Sequence, residues 1–211
     1  MDSSGPSLGD TLTTPLVAGN WKMNTTVTEA ETLASALRRE LDGLPGVDVA
    51  LCPPFISLGR VAQALEGSSL KAGAQNMHYE DSGAFTGEVS PEMLAEFCDY
   101  VILGHSERRS MFGETSASVA SKVAAAKEAG LRPIMCVGET SGERETGRAE
   151  AVVDGQVLTG LAGISSIEDV SVAYEPVWAI ASGAAASPDD AQAMASRIRK
   201  VLTDRFGPSA S

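Results

Sequence analysis

Cysteine and long apolar runs are both scarce in this sequence. Its three cysteines, Cys52, Cys98 and Cys136, are odd in number and far apart, which argues against a disulfide framework and a clustered zinc site. No apolar run approaches the roughly 20 residues that a membrane helix needs. The N-terminal residues have neither the basic nor the apolar segment of a signal peptide, so we expect a cytoplasmic location without a membrane partner.

An excess of positive charge and the common cofactor motifs are also missing. The formal net charge of −12 disfavours a nucleic-acid partner, because phosphate binding needs a basic face. No G-x-G-x-x-G follows the first apolar segment and no G-x-x-x-x-G-K-[ST] occurs, which weighs against nicotinamide, flavin and P-loop enzymes. No H-E-x-x-H or comparable spacing predicts a metal site. A soluble enzyme or an interaction module remains.

Short apolar segments alternate with amphipathic ones from Pro15 onward. Several short segments are apolar on both faces, which is typical of parallel strands covered by helices. Their spacing of roughly 30 residues matches one βα unit, so the fold is either an open doubly wound sheet or a (β/α) barrel. Residues 1–14 are predicted to be a flexible extension before a domain at 15–211. The predicted strands are Leu16–Ala18, Val47–Cys52, Lys71–Ala74, Tyr100–Leu103, Pro133–Val137 and Val170–Tyr174.

Capping signals predict where three helices begin. Thr28-Glu29-Ala30-Glu31 has the pattern of a capping box. Ser90-Pro91 and Ser187-Pro188 each place a capping residue before a proline suited to the first helical position. The small residues of Ala179–Ala186 predict a loop.

Polar side chains follow several predicted strands, where function collects in parallel α/β folds. Singly, each has an ordinary structural interpretation: a lysine is usually a solvated charge, and Glu107 with Arg108 and Arg109 could form only an ion-pair cluster. Together, Lys22, His105 and Glu175 supply a cation, a hydrogen-bonding electrophile and a base. That set suits proton abstraction next to a carbonyl, and a loop after the base would exclude water.

The blocks around these residues closely resemble the triosephosphate isomerase family. They occur in the family's order and at similar spacing from about Pro15 to Phe206, which makes the resemblance specific. The blocks are Ala18-Gly19-Asn20-Trp21-Lys22-Met23-Asn24, Gly83-Ala84-Phe85-Thr86-Gly87-Glu88, Gly104-His105-Ser106-Glu107-Arg108-Arg109, Cys136-Val137-Gly138-Glu139-Thr140 and Ala173-Tyr174-Glu175-Pro176-Val177-Trp178-Ala179-Ile180.

The resemblance implies a (β/α)8 barrel that interconverts dihydroxyacetone phosphate and glyceraldehyde 3-phosphate without a cofactor, a step of glycolysis and gluconeogenesis. Glu175 would be the general base and His105 a neutral imidazole that polarises the carbonyl, a pairing for which this family is itself the standard example. Lys22 would balance the developing charge, with Asn20 as its hydrogen-bonding partner and Glu107 as a second acid.

The resemblance also implies substrate-binding and dimer contacts. A homodimer is expected, because the segment from Gln75 to Glu88 resembles the family's dimer-forming loop. The implied substrate-binding residues are Asn20, Lys22, Ala181, Ser182 and Gly183, and the implied dimer-interface residues are Gln75, Thr86, Glu88 and Arg109.

Two departures from the family pattern bear on activity. The family's lid reads Ile-Gly-Thr-Gly-Lys, whereas this chain has Ala181 and Ala184 in place of a glycine and the lysine. The family also continues for two βα units past Ser211, and a complete barrel typically has about 250 residues. We therefore expect about six units here, with strands one and six as unpaired edges.

Three functions are compatible with these features. The chain is an active isomerase, or an impaired isomerase-derived fragment that serves as an interaction module, or another barrel enzyme acting on phosphorylated sugars. The five matching blocks disfavour the third possibility.

Overall fold

Six parallel strands form one sheet in the order β1-β2-β3-β4-β5-β6. The computed structural model describes residues 14–182 and 185–210, so the predicted extension lies almost wholly outside the described residues. All six predicted strands are confirmed, with small shifts at their ends. They are β1 (Leu16–Asn20), β2 (Asp48–Cys52), β3 (Lys71–Ala74), β4 (Tyr100–Leu103), β5 (Arg132–Val137) and β6 (Ser171–Tyr174).

The strand order decides between the two folds that the sequence left open. Each strand pairs in parallel with the next strand along the chain. A doubly wound sheet reverses its order at a switch point, whereas a barrel continues in one direction. The structure therefore has the barrel-family topology. Within the described residues, β1 pairs only with β2 and β6 only with β5, as expected for open edges.

Helices connect the strands and cover the outer face of the sheet. Among the described helices, none is both long and apolar enough to cross a bilayer. The helices are α1 (Val27–Leu41), α2 (Phe55–Leu65), α3 (Pro91–Ala95), α4 (Ser106–Met111), α5 (Ser116–Glu128), α6 (Ser141–Glu145), α7 (Ala149–Gly160), α8 (Val177–Ser182) and α9 (Pro188–Phe206), followed by a 3-10 turn at Pro208–Ala210.

Two of the three predicted helix starts are confirmed, and the first is wrong by two residues. Ser90 and Ser187 cap α3 and α9 as predicted. The first capping box is formed by Thr26 and Glu29, so α1 begins at Val27. Thr28 fits the same pattern, but Thr26 makes the two capping bonds: its N–H donates to Glu29 Oε2 at 2.8 Å, and its Oγ1 accepts from the Glu29 N–H at 3.4 Å. Thr25 has a φ of 74°, which is not helical, so the helix begins no earlier.

The predicted loop at Ala179–Ala186 is also wrong in its first part. Helix α8 continues through Ala179 to Ser182. The alanines that suggested a loop have the highest helix propensity, so small size alone was a misleading signal.

Apolar side chains fill both faces of the central strands. The larger cluster lies between the sheet and its helices and includes Leu103, Met135 and Val137. A smaller cluster includes Cys52 and Cys136, so both of these cysteines pack in the core. Burial raises the pKa of the Cys52 thiol to about 12.

A groove of about 680 Å³ is lined by residues of both sheet edges and of α9, including Leu16, Val172, Leu202 and Phe206. It adjoins the amino ends of the strands, where Tyr100 and Arg132 also line it. The candidate catalytic side chains follow the opposite, carboxyl ends of the strands.

Candidate active site

The position of Glu175 is set by the backbone, because the residue after β6 packs directly against the residue after β5. The Glu175 N–H donates to the Val137 carbonyl at 2.8 Å, which extends the strand pairing past the end of β6. A Cβ at Gly138 would lie 1.8 Å from the Glu175 carbonyl oxygen, so only glycine fits there. Gly138 is further held by Gln156, whose amide exchanges two hydrogen bonds with its backbone at 2.8 and 3.1 Å.

His105 is the N-cap residue of α4. Its Nδ1 atom accepts a hydrogen bond from the Glu107 N–H at 3.2 Å. An acceptor nitrogen carries no proton, so the neutral imidazole has its proton on Nε2. That atom lies 3.1 Å from Glu175 Oε1. The helix N-terminus therefore fixes the tautomer that points an N–H at the candidate base.

Glu175 is a partly buried carboxylate, with its side chain 26% exposed. Burial by itself raises the pKa of Glu175, but the hydrogen bond from His105, together with bonds from Ser106, outweighs it and holds the pKa below its usual value of 4.5. One of these bonds comes from the Ser106 N–H to Glu175 Oε2 at 3.5 Å. Glu175 is consequently ionised at neutral pH, as a general base must be.

Lys22 is held in a strained loop after β1. Its φ is 53°, a left-handed value that is uncommon for a side-chain-bearing residue. The Lys22 N–H donates to Asn20 Oδ1 at 3.0 Å, and Gln75 Nε2 donates to the Lys22 carbonyl at 2.9 Å. The ammonium group pairs with Glu107 Oε1 at 2.7 Å. Gln75 is predicted at a dimer interface, and nothing in the sequence indicates its bond to this loop.

Glu107 connects the lysine to the histidine. Besides its pair with Lys22, its backbone N–H donates to His105 Nδ1 at 3.2 Å, while its Oε2 atom lies 3.6 Å from that nitrogen without a hydrogen bond. Contacts therefore run without a break from Asn20 through Lys22, Glu107 and His105 to Glu175. The structure brings together all five predicted catalytic residues.

The predicted substrate-binding residues after the base are only partly described. Ala181 and Ser182 end helix α8, and Gly183 lies outside the described residues. Their role in binding substrate stays a prediction.

The residues predicted at a dimer interface occupy two different settings. Thr86 and Glu88 are exposed on the long connection between β3 and α3. Arg109 instead points into its own chain, donating to the Gly104 carbonyl at 2.7 Å and to the Cys136 carbonyl at 3.1 Å. It thereby ties the end of β4 to β5 beside His105. An interface role for these residues stays a prediction.

A buried ion pair supports the turn before His105. Glu114 and Lys122 contact each other through side chains that are 3% and 9% exposed. Glu114 Oε2 accepts from the Gly104 N–H at 3.2 Å, and Lys122 Nζ donates to Asn76 Oδ1 at 2.8 Å. Neither Glu114 nor Lys122 directly follows a strand, so the sequence did not indicate that they would lie near the candidate site.

A second buried carboxylate lies behind Glu175. Glu139 is fully buried and accepts hydrogen bonds from Tyr174 Oη at 3.0 Å and Trp178 Nε1 at 2.9 Å. Burial and then the charge of Glu139 raise the pKa of Tyr174 to about 12. Glu139 belongs to one of the matching blocks, but nothing in the sequence indicates that it contacts Tyr174 and Trp178.

The site combines a base, a neutral hydrogen-bond donor and a cation at the carboxyl end of a parallel sheet. Within residues 14–182 and 185–210, no three His, Cys, Asp or Glu side chains are grouped as metal ligands. The side chains that converge here are the types that carry out general acid–base chemistry. The fold and site together define the class as a barrel-family protein with a candidate acid–base site after the carboxyl ends of its strands.

Comparison with known proteins gives the family. The family model described as triosephosphate isomerase matches residues 15–211. A triosephosphate isomerase of Carboxydothermus hydrogenoformans is 55% identical over 196 residues, which are 92% of this chain and 78% of that protein. One from Herpetosiphon aurantiacus is 54% identical, covering 89% of this chain and 76% of the relative. The chain belongs to the triosephosphate isomerase family of enzymes.

Proposed function

We propose that this chain interconverts dihydroxyacetone phosphate and glyceraldehyde 3-phosphate through an enediolate intermediate. The observation that carries the proposal is the 3.1 Å contact between ionised Glu175 and the Nε2 atom of neutral His105. The relatives are triosephosphate isomerases, which points to a triose phosphate substrate. The reaction needs one base, one donor to a carbonyl oxygen and a nearby cation, and these are the groups that converge here.

Each proposed step uses one of these side chains. Glu175 removes a proton from the carbon next to the carbonyl. When substrate is bound, the His105 Nε2–H donates to the substrate's carbonyl oxygen instead of to Glu175. This bond stabilises the negative charge that develops on that oxygen. The Lys22 ammonium balances the charge of the enediolate and phosphate. His105 then gives its Nε2 proton to the oxygen of the former carbonyl and takes up the proton of the adjacent hydroxyl, so the negative charge moves from one oxygen to the other. Glu175 returns its proton to the former carbonyl carbon, and the adjacent carbon becomes the new carbonyl.

The proposed binding residues are Asn20, Lys22, Ala181, Ser182 and Gly183. We further propose a homodimer formed through the connection that includes Gln75, Thr86 and Glu88, in the cytoplasm. Light scattering behind size exclusion tests the dimer: a solution mass of one chain at micromolar concentration would contradict it.

Turnover of glyceraldehyde 3-phosphate tests the catalytic proposal. The purified chain, verified by intact mass, is compared with Glu175→Gln prepared in parallel, because the pair controls for isomerase carried over from the expression host. We expect activity that falls by about 10³-fold or more in the variant, since the base is lost while the side-chain volume is kept. Equal activity in the two proteins would refute the proposal and favour an interaction module, for which the open edges of β1 and β6 offer surfaces.

A further inference from the structure

Arg144 of α6 contacts three other parts of the chain with one guanidinium group. Its Nη1 atom lies 3.4 Å from Glu139 Oε1, and its Nη2 atom lies 2.5 Å from Asp190 Oδ1. Its Cζ atom lies 4.4 Å from the centroid of the Trp178 ring. None of the steps proposed above uses Arg144.

The contacted residues surround the candidate base along the chain. Tyr174 directly precedes Glu175, Trp178 follows it in the first turn of α8, and both donate to the same Glu139 carboxylate at 3.0 and 2.9 Å. Glu139 therefore holds the backbone on both sides of Glu175. The position of the Glu139 carboxylate depends in turn on the cation that neutralises its charge.

A fully buried carboxylate is costly unless it is paired and hydrogen-bonded. Arg144 is the cation that the structure places against Glu139. The same group reaches Asp190, which forms the capping box of α9 with Ser187. Arg144 thus links the end of β5, the helix after the base and the start of α9.

The chemistry of arginine suits this position. A planar guanidinium can pair with two carboxylates at its edge while its face stacks on an aromatic ring. A lysine ammonium is a single point charge and cannot do all three. The contact with partly exposed Asp190 would matter little as an isolated surface pair, so its importance lies in fixing the guanidinium over Glu139 and Trp178.

We propose that Arg144 is a positioning residue for Glu175, acting through Glu139 and Trp178. The inference deepens the function proposed above and rests on Glu175 being its general base. Without Arg144, the Glu139 charge loses its cation and α8 loses the stacked contact on Trp178. The Glu175 carboxylate then departs from its contacts with His105 and the Ser106 N–H.

The variant Arg144→Met tests this, because methionine keeps an apolar stem and removes the guanidinium. A misplacement of about 1 Å can cost about 10²-fold in rate, so we expect kcat to fall by about 10- to 100-fold with KM changed much less. The pKa of the Glu175 carboxyl, followed by carbon-13 NMR and assigned with Glu175→Gln, should rise, since bonds from His105 and Ser106 are what lower it. A purely structural role would leave this pKa unchanged in the folded variant.

Two further variants sharpen the result. Arg60→Met is the matched control, because it removes an arginine–glutamate pair with Glu31 whose side chains are 52% and 42% exposed; it should change neither kcat nor the Glu175 pKa. Arg144→Lys should recover only part of the loss, since it restores the charge without the planar contacts. If Arg144→Met fails to fold, Arg144→Lys and Asp190→Asn provide the same two measurements and should each show a smaller change in the same direction.

An unchanged Glu175 pKa together with an unchanged kcat in folded Arg144 variants overturns the inference. The function proposed above can fail separately. A parental chain without isomerase activity would refute that function, while the NMR titration of Glu175 would still decide whether Arg144 positions it.

Discussion

His105 Nε2 and Glu175 Oε1 lie 3.1 Å apart, although they come from different βα units. The proton of this bond belongs to the imidazole, because His105 Nδ1 already accepts from the Glu107 N–H. The pair therefore consists of a neutral donor and an ionised acceptor. Four predictions follow from this pair and from the packing around it.

The first prediction concerns stability at acid pH. The pKa of Glu175 lies below 4.5 in the folded chain, where burial raises it less than His105 and Ser106 lower it. A lowered carboxyl pKa stabilises the fold above the unfolded pKa, and this contribution is lost as the pH falls through the folded value. Below about pH 4.5 the free energy of unfolding should therefore fall more steeply in the parental chain than in Glu175→Gln.

Urea unfolding at a series of pH values measures this difference. Glu29, Asp42 and Asp190 also have lowered pKa values, but they are present in both proteins and cancel in the comparison. Parallel curves below pH 4.5 would contradict a lowered pKa for Glu175.

Replacing His105 tests its donor role. His105→Ala removes the Nε2–H donor and should lower kcat for glyceraldehyde 3-phosphate by about 10²- to 10⁴-fold. It should also raise the pKa of Glu175, because burial then acts without the opposing bond from the imidazole. Steady-state kinetics and the acid limb of the rate profile check both effects, and a variant with near-parental kcat would remove His105 from the mechanism.

Gly138 should be intolerant of any side chain. In Gly138→Ala the new Cβ would meet the Glu175 carbonyl oxygen at 1.8 Å, so the segments after β5 and β6 must separate. We expect a loss of about 1–3 kcal/mol in unfolding free energy, together with reduced activity as Glu175 moves.

Gly155→Ala provides the comparison for this glycine. Gly155 lies inside helix α7 and an added Cβ there meets nothing within 4 Å. Alanine should stabilise that helix by up to about 1 kcal/mol. Thermal unfolding of the two variants checks the contrast, and equal shifts would show that the close approach at Gly138 is unimportant.

The buried pair of Glu114 and Lys122 should matter far more than an exposed pair. Lys122→Met takes the nearest cation from a nearly buried carboxylate and leaves only Arg108 Nε at 3.8 Å. Breaking a buried pair in this way typically costs about 3–5 kcal/mol. Lys200→Met removes an exposed pair with Asp204, whose side chains are 69% and 64% exposed, and should cost less than about 0.5 kcal/mol. Urea denaturation measures both, and a loss in Lys122→Met as small as in Lys200→Met would refute a supporting role.

Local patterns predicted much of the fold. Buried strands such as Tyr100–Leu103 were recognisable because both of their faces are apolar, and Ser187-Pro188 marked the start of α9 because capping depends on nearby residues. The same locality explains the errors. Thr26 and Thr28 fit the capping pattern equally well, and only the hydrogen bonds between Thr26 and Glu29 show which of them caps the helix.

The candidate site was predictable to a similar extent. Asn20, Lys22, His105, Glu107 and Glu175 stand in or near the segments that follow strands, and their matching blocks drew attention to them. The contacts of Gly138, Gln156 and Arg144 were not predictable, because each joins segments that are distant along the chain.

The sequence by itself determined the alternation of strands and helices, the capping of α3 and α9 and the set of reactive side chains, since these depend on residue type and short spacing. The tertiary structure decided the consecutive strand order and the tautomer of His105. It also decided that Arg109 faces its own chain and that Arg144 reaches Glu139 and Asp190. Those outcomes depend on which distant atoms packing brings within hydrogen-bonding distance, and a linear pattern carries no such distances.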